Sequence, residues 1–152
     1  MPRSHVFHEI FLHVNWHCHD DQGLITPDRE ALVHGYIEEY CRKFRGVFFQ
    51  GIGGTATHVH LAFQMEPFVA PADFIGKAKG YSSHQANKQL GADALKWQRG
   101  YGIVSLAALN LPAVLRYVRD QKLHHQRLTT REKMEQYYVD LPEGVFVPEA
   151  GE

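Results

Sequence analysis

The sequence has only two cysteines in 152 residues, which excludes a disulfide framework and a paired-cysteine metal site. No stretch approaches the roughly 20 apolar residues of a membrane-spanning helix, and the N-terminus lacks the apolar run of a signal peptide. The net charge of −1 argues against indiscriminate coating of nucleic acid, although it permits a local basic groove. This length suits one compact domain with a real core. We therefore expect a single cytoplasmic domain, residues 1–152, with no membrane association.

Histidine is the residue that the chain has in excess, with 11 copies. Histidine is the commonest metal ligand in proteins and exchanges protons near neutral pH. Several of the histidines are close together in the sequence: His17 and His19, His58 and His60, His124 and His125. Composition therefore points to a metal or proton-transfer site without placing it.

The hydrophobic pattern predicts alternating strands and helices along the whole chain. Strands are predicted over residues 5–19, 46–50, 58–65 and 101–106, with a flexible glycine segment at 51–54. Helices are predicted over residues 26–44, 72–90, 112–126 and 130–138, the first of them capped by Thr26. The order β-α-β-β-α-β is that of a ferredoxin-like α+β sandwich, an antiparallel sheet with helices packed on it. Additional C-terminal helices follow, one of them carrying Tyr117.

His58 and His60 are separated by one residue on a predicted strand. Side chains alternate between the two faces of a strand, so both imidazoles point the same way and Val59 points the other way. This geometry can present two nitrogen ligands to one metal ion. Two exposed or hydrogen-bonded histidines would give the same pattern, so the spacing alone is a weak signal.

The helix after Pro112 places Tyr117 and Gln121 on one face, four residues apart, while an adjoining apolar stripe can pack on the sheet. Taken alone, Tyr117 is most simply a packing residue with its hydroxyl at the surface. A tyrosine hydroxyl, with a reference pKa near 10, is a poor nucleophile at neutral pH unless a base or a metal assists it. A divalent ion held by two histidines and an amide oxygen can polarise a phosphodiester. That ligand set suits Mg²⁺ or Mn²⁺, and Mn²⁺ matches imidazole better.

Four blocks of the sequence resemble, in order, those of the single-tyrosine HUH transposases of small insertion sequences and their REP-associated relatives. In that family a histidine-hydrophobic-histidine strand supplies metal ligands. The blocks are His58-Val59-His60-Leu61, Lys79-Gly80-Tyr81-Ser82-Ser83, Trp97-Gln98-Arg99-Gly100-Tyr101-Gly102 with Ser105 after it, and the helix from Tyr117 to His125. Together they extend over most of the chain, which makes the resemblance specific.

The resemblance implies a role for each matched position. Tyr117 would attack a DNA phosphate, leaving a 5′-phosphotyrosine and a free 3′-hydroxyl, and His58, His60 and Gln121 would hold the metal. The expected phosphate contacts are Lys79, Arg99, Arg116 and Arg119, each of which could equally be a solvated surface charge. Family members form homodimers and act on single-stranded or hairpin DNA in transposition, so we expect both properties here.

Two other interpretations remain open at this stage. One is a domesticated relative that binds a DNA or RNA hairpin without mobilising anything, although such a binder need not retain Tyr117 or the two-histidine strand. The other is a histidine-rich metal-binding protein unrelated to DNA, although no cysteine or carboxylate spacing supports a closed tetrahedral site.

Overall fold

Four strands form one antiparallel sheet in the order β2-β3-β1-β4, in a computed structural model that describes residues 5–136. Within these residues five α-helices accompany the sheet, and the first two separate its strands in the order β1-α1-β2-β3-α2-β4. The strands are β1 (Phe11–His17), β2 (Val47–Gly54), β3 (His58–Met65) and β4 (Gly102–Leu106). The helices are α1 (Glu30–Lys43), α2 (Pro71–Leu90), α3 (Leu111–Arg119), α4 (Gln121–Arg127) and α5 (Glu132–Glu135). This confirms the predicted ferredoxin-like α+β fold.

The two faces of the sheet differ in chemistry because side chains alternate along each strand. On β1, the buried Leu12, Val14 and Trp16 lie opposite the buried Phe63, Leu61 and Val59 of β3. These six side chains belong to the hydrophobic core, together with buried residues of α1 and α2. The other face carries the polar side chains of His13, Asn15 and His17 on β1 and of His58 and His60 on β3, on the side of α3 and the segment that follows it.

The glycine segment 51–54, which we expected to be flexible, is part of β2 and pairs with β3. A glycine-rich sequence has low strand propensity, but tertiary pairing overrides it here. The absence of a side chain also serves packing: a Cβ on Gly53 would lie 1.9 Å from the carbonyl oxygen of Val118. Glycine therefore lets α3 lie directly against β2, beside the two-histidine strand.

The helix predicted to start at residue 26 begins at Glu30 instead. The backbone carbonyl of Thr26 accepts hydrogen bonds from the backbone N–H groups of Arg29 and Glu30, so it closes a turn ahead of the helix. The hydroxyl of Thr26 donates a hydrogen bond to the carboxylate of Asp28 and does not cap a helical N–H group. The second helix matches its prediction closely and ends at Gly91, whose φ of 115° suits glycine.

The helix predicted over residues 112–126 is divided into α3 and α4 at Asp120, whose ψ of 26° departs from helical values. Aspartate favours such departures because its short polar side chain competes for backbone hydrogen bonds. In place of the helix predicted over residues 130–138, the structure has a helix over Glu132–Glu135. Tyr138, the last residue of the predicted range, lies outside the described residues. None of the helices within residues 5–136 has the length and apolar composition of a membrane span.

Candidate metal and tyrosine site

A polar stripe crosses the sheet on the face opposite the core. His17 pairs with His58 and Asn15 pairs with His60 across β1 and β3, so these side chains share one face. His58 and His60 are both buried, and the rings of His17 and His58 stack with centroids 4.6 Å apart. The two histidines of the predicted metal strand therefore point the same way, into the interior on the α3 side.

Four side chains bring possible metal-ligand atoms together at this stripe. His58, His60, His125 and Glu135 each offer one atom, and these four atoms lie within 4.8 Å of one another. The Nε2 atoms of His58 and His125 are 3.1 Å apart. Oε2 of Glu135 lies 3.1 Å from Nε2 of His60 and 3.5 Å from Nε2 of His58. Three imidazoles and one carboxylate within this distance form a possible donor set for a divalent cation.

Two of the imidazoles, those of His60 and His125, are suited to metal binding because burial lowers their pKa values and favours the neutral form. Burial lowers the pKa of His60 to about 4, even though the neighbouring Glu135 carboxylate opposes this change. Burial also lowers the pKa of His125. A neutral imidazole retains one nitrogen lone pair for a metal ion. Burial alone would raise the pKa of Glu135, but the hydrogen bonds from His58 and His60 outweigh it and hold that pKa below its usual range.

His58 is oriented by the turn that precedes its strand. The hydroxyls of Thr55 and Thr57 lie 2.9 and 3.0 Å from its Nδ1 atom. Because Nδ1 is engaged in this way, Nε2 is the nitrogen that faces the cluster. The turn between β2 and β3 thus sets the direction of the first histidine.

Tyr117 lies on α3, beside the same cluster and in the same chain. Its side chain is only 2% exposed, and its ring centroid is 6.1 Å from that of His60. The hydroxyl donates a 2.6 Å hydrogen bond to Oε1 of Glu135 and accepts one of 2.8 Å from the backbone N–H of Arg131. Burial, and then the bond to Glu135, raise the pKa of Tyr117 to about 12. The phenol is therefore held protonated beside the histidines.

Gln121 begins α4 and is fully buried. Its Nε2 group donates to the backbone carbonyl of Tyr117 at 3.3 Å, and its Oε1 atom lies 3.1 Å from Nε2 of His125. The break at Asp120 therefore leaves the predicted tyrosine-glutamine pairing in place. Gln121 adjoins the cluster through His125, and its role as a metal ligand stays a prediction.

The four basic residues predicted to contact phosphates lie in different settings. The Lys79 ammonium group donates to the backbone carbonyls of Gln98 at 2.7 Å and Gly100 at 3.0 Å. Arg119 is exposed and contacts the neighbouring Asp120 at 3.4 Å. Arg99 and Arg116 are exposed. Lys79 thus links the sequence block at residues 79–83 to the block at residues 97–102. A phosphate contact by any of the four basic residues stays a prediction.

His125 and Glu135 complete the cluster but were not predicted as site residues. His125 lies four residues after Gln121, so the helical spacing could have indicated it. The His124 ring packs against Tyr117, with centroids 4.7 Å apart. Glu135 is 75 residues from His60 in the sequence, and no local pattern indicates it.

The segment Met134–Gln136, which we call the C-terminal segment, reaches the site because of two residues of the sheet. The side-chain amide of Asn15 donates to the backbone carbonyls of Met134 at 3.0 Å and Gln136 at 2.8 Å. A Cβ on Gly102 would lie 1.6 Å from the same carbonyl oxygen of Gln136. Glu135, between these two carbonyls in sequence, is thereby directed at the histidines.

Known proteins resemble this chain in sequence and in fold. The sequence profile of the family described as "Transposase IS200 like" matches residues 6–121. A candidate transposase from Deinococcus radiodurans has a similar structure, with a TM-score of 0.63 and 12% identity over 80% of this chain and 97% of that one. A REP-associated tyrosine transposase bound to a REP hairpin is also similar, with a TM-score of 0.58 and 10% identity over 82% of this chain and 73% of that one. No curated protein matches the sequence significantly.

Proposed function

Because the chain belongs to the family of IS200-like transposases, we propose that it cuts and rejoins single-stranded DNA through a covalent bond to Tyr117. Membership makes it a transposase-type, DNA-cleaving enzyme. The observation that carries the finer proposal is the placement of the Tyr117 hydroxyl at a buried cluster of three histidines and a carboxylate. A tyrosine held there is within reach of a cation that can activate a phosphodiester.

The residues present fit a divalent cation. His58, His60 and His125 would supply neutral nitrogen donors and Glu135 a negatively charged oxygen, with the Gln121 amide oxygen adjacent to His125. Such a cation neutralises the charge that grows on the phosphate oxygens as the phosphodiester reacts. The three imidazoles favour Mn²⁺ over Mg²⁺, which prefers oxygen ligands.

The reaction places specific demands on Tyr117. Its hydroxyl oxygen forms the bond to phosphorus as the bond from phosphorus to the 3′ oxygen breaks, and the phenol proton, which is hydrogen-bonded to Glu135, is passed on to the leaving 3′ oxygen. The products are a 5′-phosphotyrosine and a free 3′-hydroxyl. Strand transfer is the reverse step with another 3′-hydroxyl, which restores the tyrosine. Since Tyr117 is 2% exposed, Arg131, which covers its ring and donates its backbone N–H to the hydroxyl, must shift far enough to expose the oxygen to the DNA.

The substrate that we propose is a DNA hairpin with single-stranded flanks. The REP-associated tyrosine transposase of similar fold is bound to a REP hairpin, and we extend that type of substrate to this chain. Lys79, Arg99, Arg116 and Arg119 remain the proposed phosphate contacts. We propose that Tyr117 serves the histidines of its own chain, because α3 packs against its own sheet. We retain homodimer formation and a single domain over residues 1–152 as predictions.

Cleavage of labelled single-stranded DNA tests the proposal. The substrates should carry the hairpins that flank the protein's own gene, incubated with Mn²⁺, with Mg²⁺ or with a chelator. We expect nicking with Mn²⁺, none with the chelator, and a loss of at least about 100-fold in His58→Ala and His60→Ala. His84→Ala, an exposed histidine of α2, is the matched control and should cut at the wild-type rate. Equal cutting by the His60→Ala variant, or none by the wild type with either ion, would refute the proposal.

A further inference from the structure

His13 lies behind His60, on the central strand β1. Its side chain is 1% exposed, and its Nε2 atom is 2.8 Å from Nδ1 of His60. His13 pairs directly with Ala62, so His60 is its diagonal neighbour on β3. The small side chain of Ala62 leaves room for the His13 ring to reach across, and the two ring centroids are 4.9 Å apart.

A metal-binding imidazole imposes a requirement on its second nitrogen. The ligand nitrogen presents its lone pair to the cation, so the other nitrogen carries the hydrogen and needs an acceptor. His60 is 0% exposed, and its Nε2 atom faces the cluster through Glu135 at 3.1 Å. Its Nδ1–H group would therefore be a buried donor without bulk water nearby. Leaving such a donor unpaired costs free energy.

We propose that His13 is a positioning residue of the metal site: its Nε2 atom accepts the Nδ1–H group of His60 and so directs His60 Nε2 at the cation. The inference rests on the proposed metal-dependent function. Within residues 5–136, the hydrogen bond shown at His60 Nδ1 is the one to His13. The threonines Thr55 and Thr57 hold the corresponding nitrogen of His58. The two ligands of β3 are thus oriented by different elements, one by a turn and the other by the neighbouring strand.

Three variants separate a positioning role from a merely structural one. His13→Leu removes the acceptor while keeping most of the volume, and His13→Gln restores an acceptor oxygen at a similar reach. Leu12→Ala is the control, because Leu12 is a buried neighbour on the opposite face of the same strand and its truncation loosens the fold without changing the site. Titration calorimetry with Mn²⁺ on the full chain gives the dissociation constant, and circular dichroism reports folding.

We expect Mn²⁺ binding to weaken by about 10- to 100-fold in His13→Leu, the range seen when partners behind a metal ligand are removed. His13→Gln should recover most of that loss, and Leu12→Ala should bind as the wild type does while melting earlier. Wild-type affinity in His13→Leu would overturn the role of His13 and leave the proposed function intact. No Mn²⁺ binding by the wild type would overturn the metal-dependent function, and the inference with it.

Nuclear magnetic resonance of the Zn²⁺-loaded wild type gives a second test that does not depend on how the variants fold. The imidazole nitrogen shifts of His60 should show Nε2 bound to the metal and a slowly exchanging hydrogen on Nδ1. A metal bond through His60 Nδ1 would contradict the inference, since that nitrogen would then be turned away from His13.

Discussion

The hydroxyl of Tyr117 and the carboxylate of Glu135 lie 2.6 Å apart, and the same carboxylate is 3.1 Å from Nε2 of His60. One side chain from the C-terminal segment therefore links the proposed nucleophile to the proposed metal ligands. Glu135 also carries the negative charge of the cluster. Neutralising it should therefore lower the affinity of the cluster for a cation the most.

Glu135→Gln keeps the shape of the side chain and removes its charge. We expect Mn²⁺ affinity to fall by at least about tenfold. Removing a hydrogen-bond partner of a metal ligand already has an effect of this size, and Glu135 is itself a proposed ligand. Glu132→Gln is the matched control, since Glu132 is an exposed residue of the same short helix. Titration calorimetry on both variants measures the difference. Equal affinities in the two variants would remove Glu135 from the donor set.

Gly53→Ala should destabilise the protein by about 3 kcal/mol, the upper part of the range for overpacking. The added Cβ would lie 1.9 Å from the carbonyl oxygen of Val118, so α3 would have to move away from β2. Gly35→Ala on α1 is the control, because nothing lies within 4 Å of its added Cβ. It should be neutral or stabilising by about 0.5–1 kcal/mol through helix propensity. Urea unfolding measures both free energies, and a neutral Gly53→Ala would contradict the close packing of α3.

Lys79→Met removes the donor that holds the backbone carbonyls of Gln98 and Gly100. Since this ammonium group is partly exposed, we expect a modest loss of stability, about 1 kcal/mol. Lys77→Met is the control: its exposed ion pair with Asp73 should be worth less than about 0.5 kcal/mol. Thermal unfolding compares the two variants. If Lys79 also contacts a phosphate, the slope of log affinity against log salt should fall by about 1.

The pH dependence of Lys79 gives that experiment a second readout. Burial lowers the pKa of Lys79 to about 8, below its value near 10.4 in an unfolded chain. Between these values the unfolded state binds more protons than the folded state, so stability rises with pH. The loss of stability in Lys79→Met should therefore be smallest below pH 8 and grow as pH rises towards 10. Unfolding curves of both proteins at pH 7, 8.5 and 10 test this, and a pH-independent difference would contradict it.

The two cysteines should be inert in the folded protein. Burial raises the pKa of Cys18 to about 11 and that of Cys41 to about 12, and only the thiolate reacts with alkylating agents. At pH 8 we expect iodoacetamide to label neither thiol in buffer and both in strong denaturant. Mass spectrometry counts the added groups, and rapid labelling of the native protein would show that these side chains are accessible.

Much of the site could be predicted because its signals are local. Alternation along one strand places His58 and His60 on the same face, and a four-residue helical spacing places Gln121 beside Tyr117. Both relationships are present in the structure. They depend on secondary structure alone, which short stretches of sequence determine well.

The remaining features depend on contacts between distant segments. Glu135 reaches the histidines because Asn15 binds the backbone on either side of it and Gly102 leaves room. The strand at residues 51–54 forms because β3 pairs with it, against the low strand propensity of glycine. His13 is one of two histidines in β1, and nothing in its local sequence indicates a bond to His60. Such features follow from tertiary packing, which a pattern along the chain does not encode.

The covalent bond between Tyr117 and DNA is the most direct test of the account. The full chain should be incubated with Mn²⁺ and labelled single-stranded DNA carrying its own flanking hairpins, denatured, digested and mapped by mass spectrometry. We predict a 5′-phosphotyrosine on the peptide containing Tyr117, absent from Tyr117→Phe and present in the control Tyr36→Phe. An adduct that persists in Tyr117→Phe, or that maps to another residue, would contradict the assignment of Tyr117 as the nucleophile.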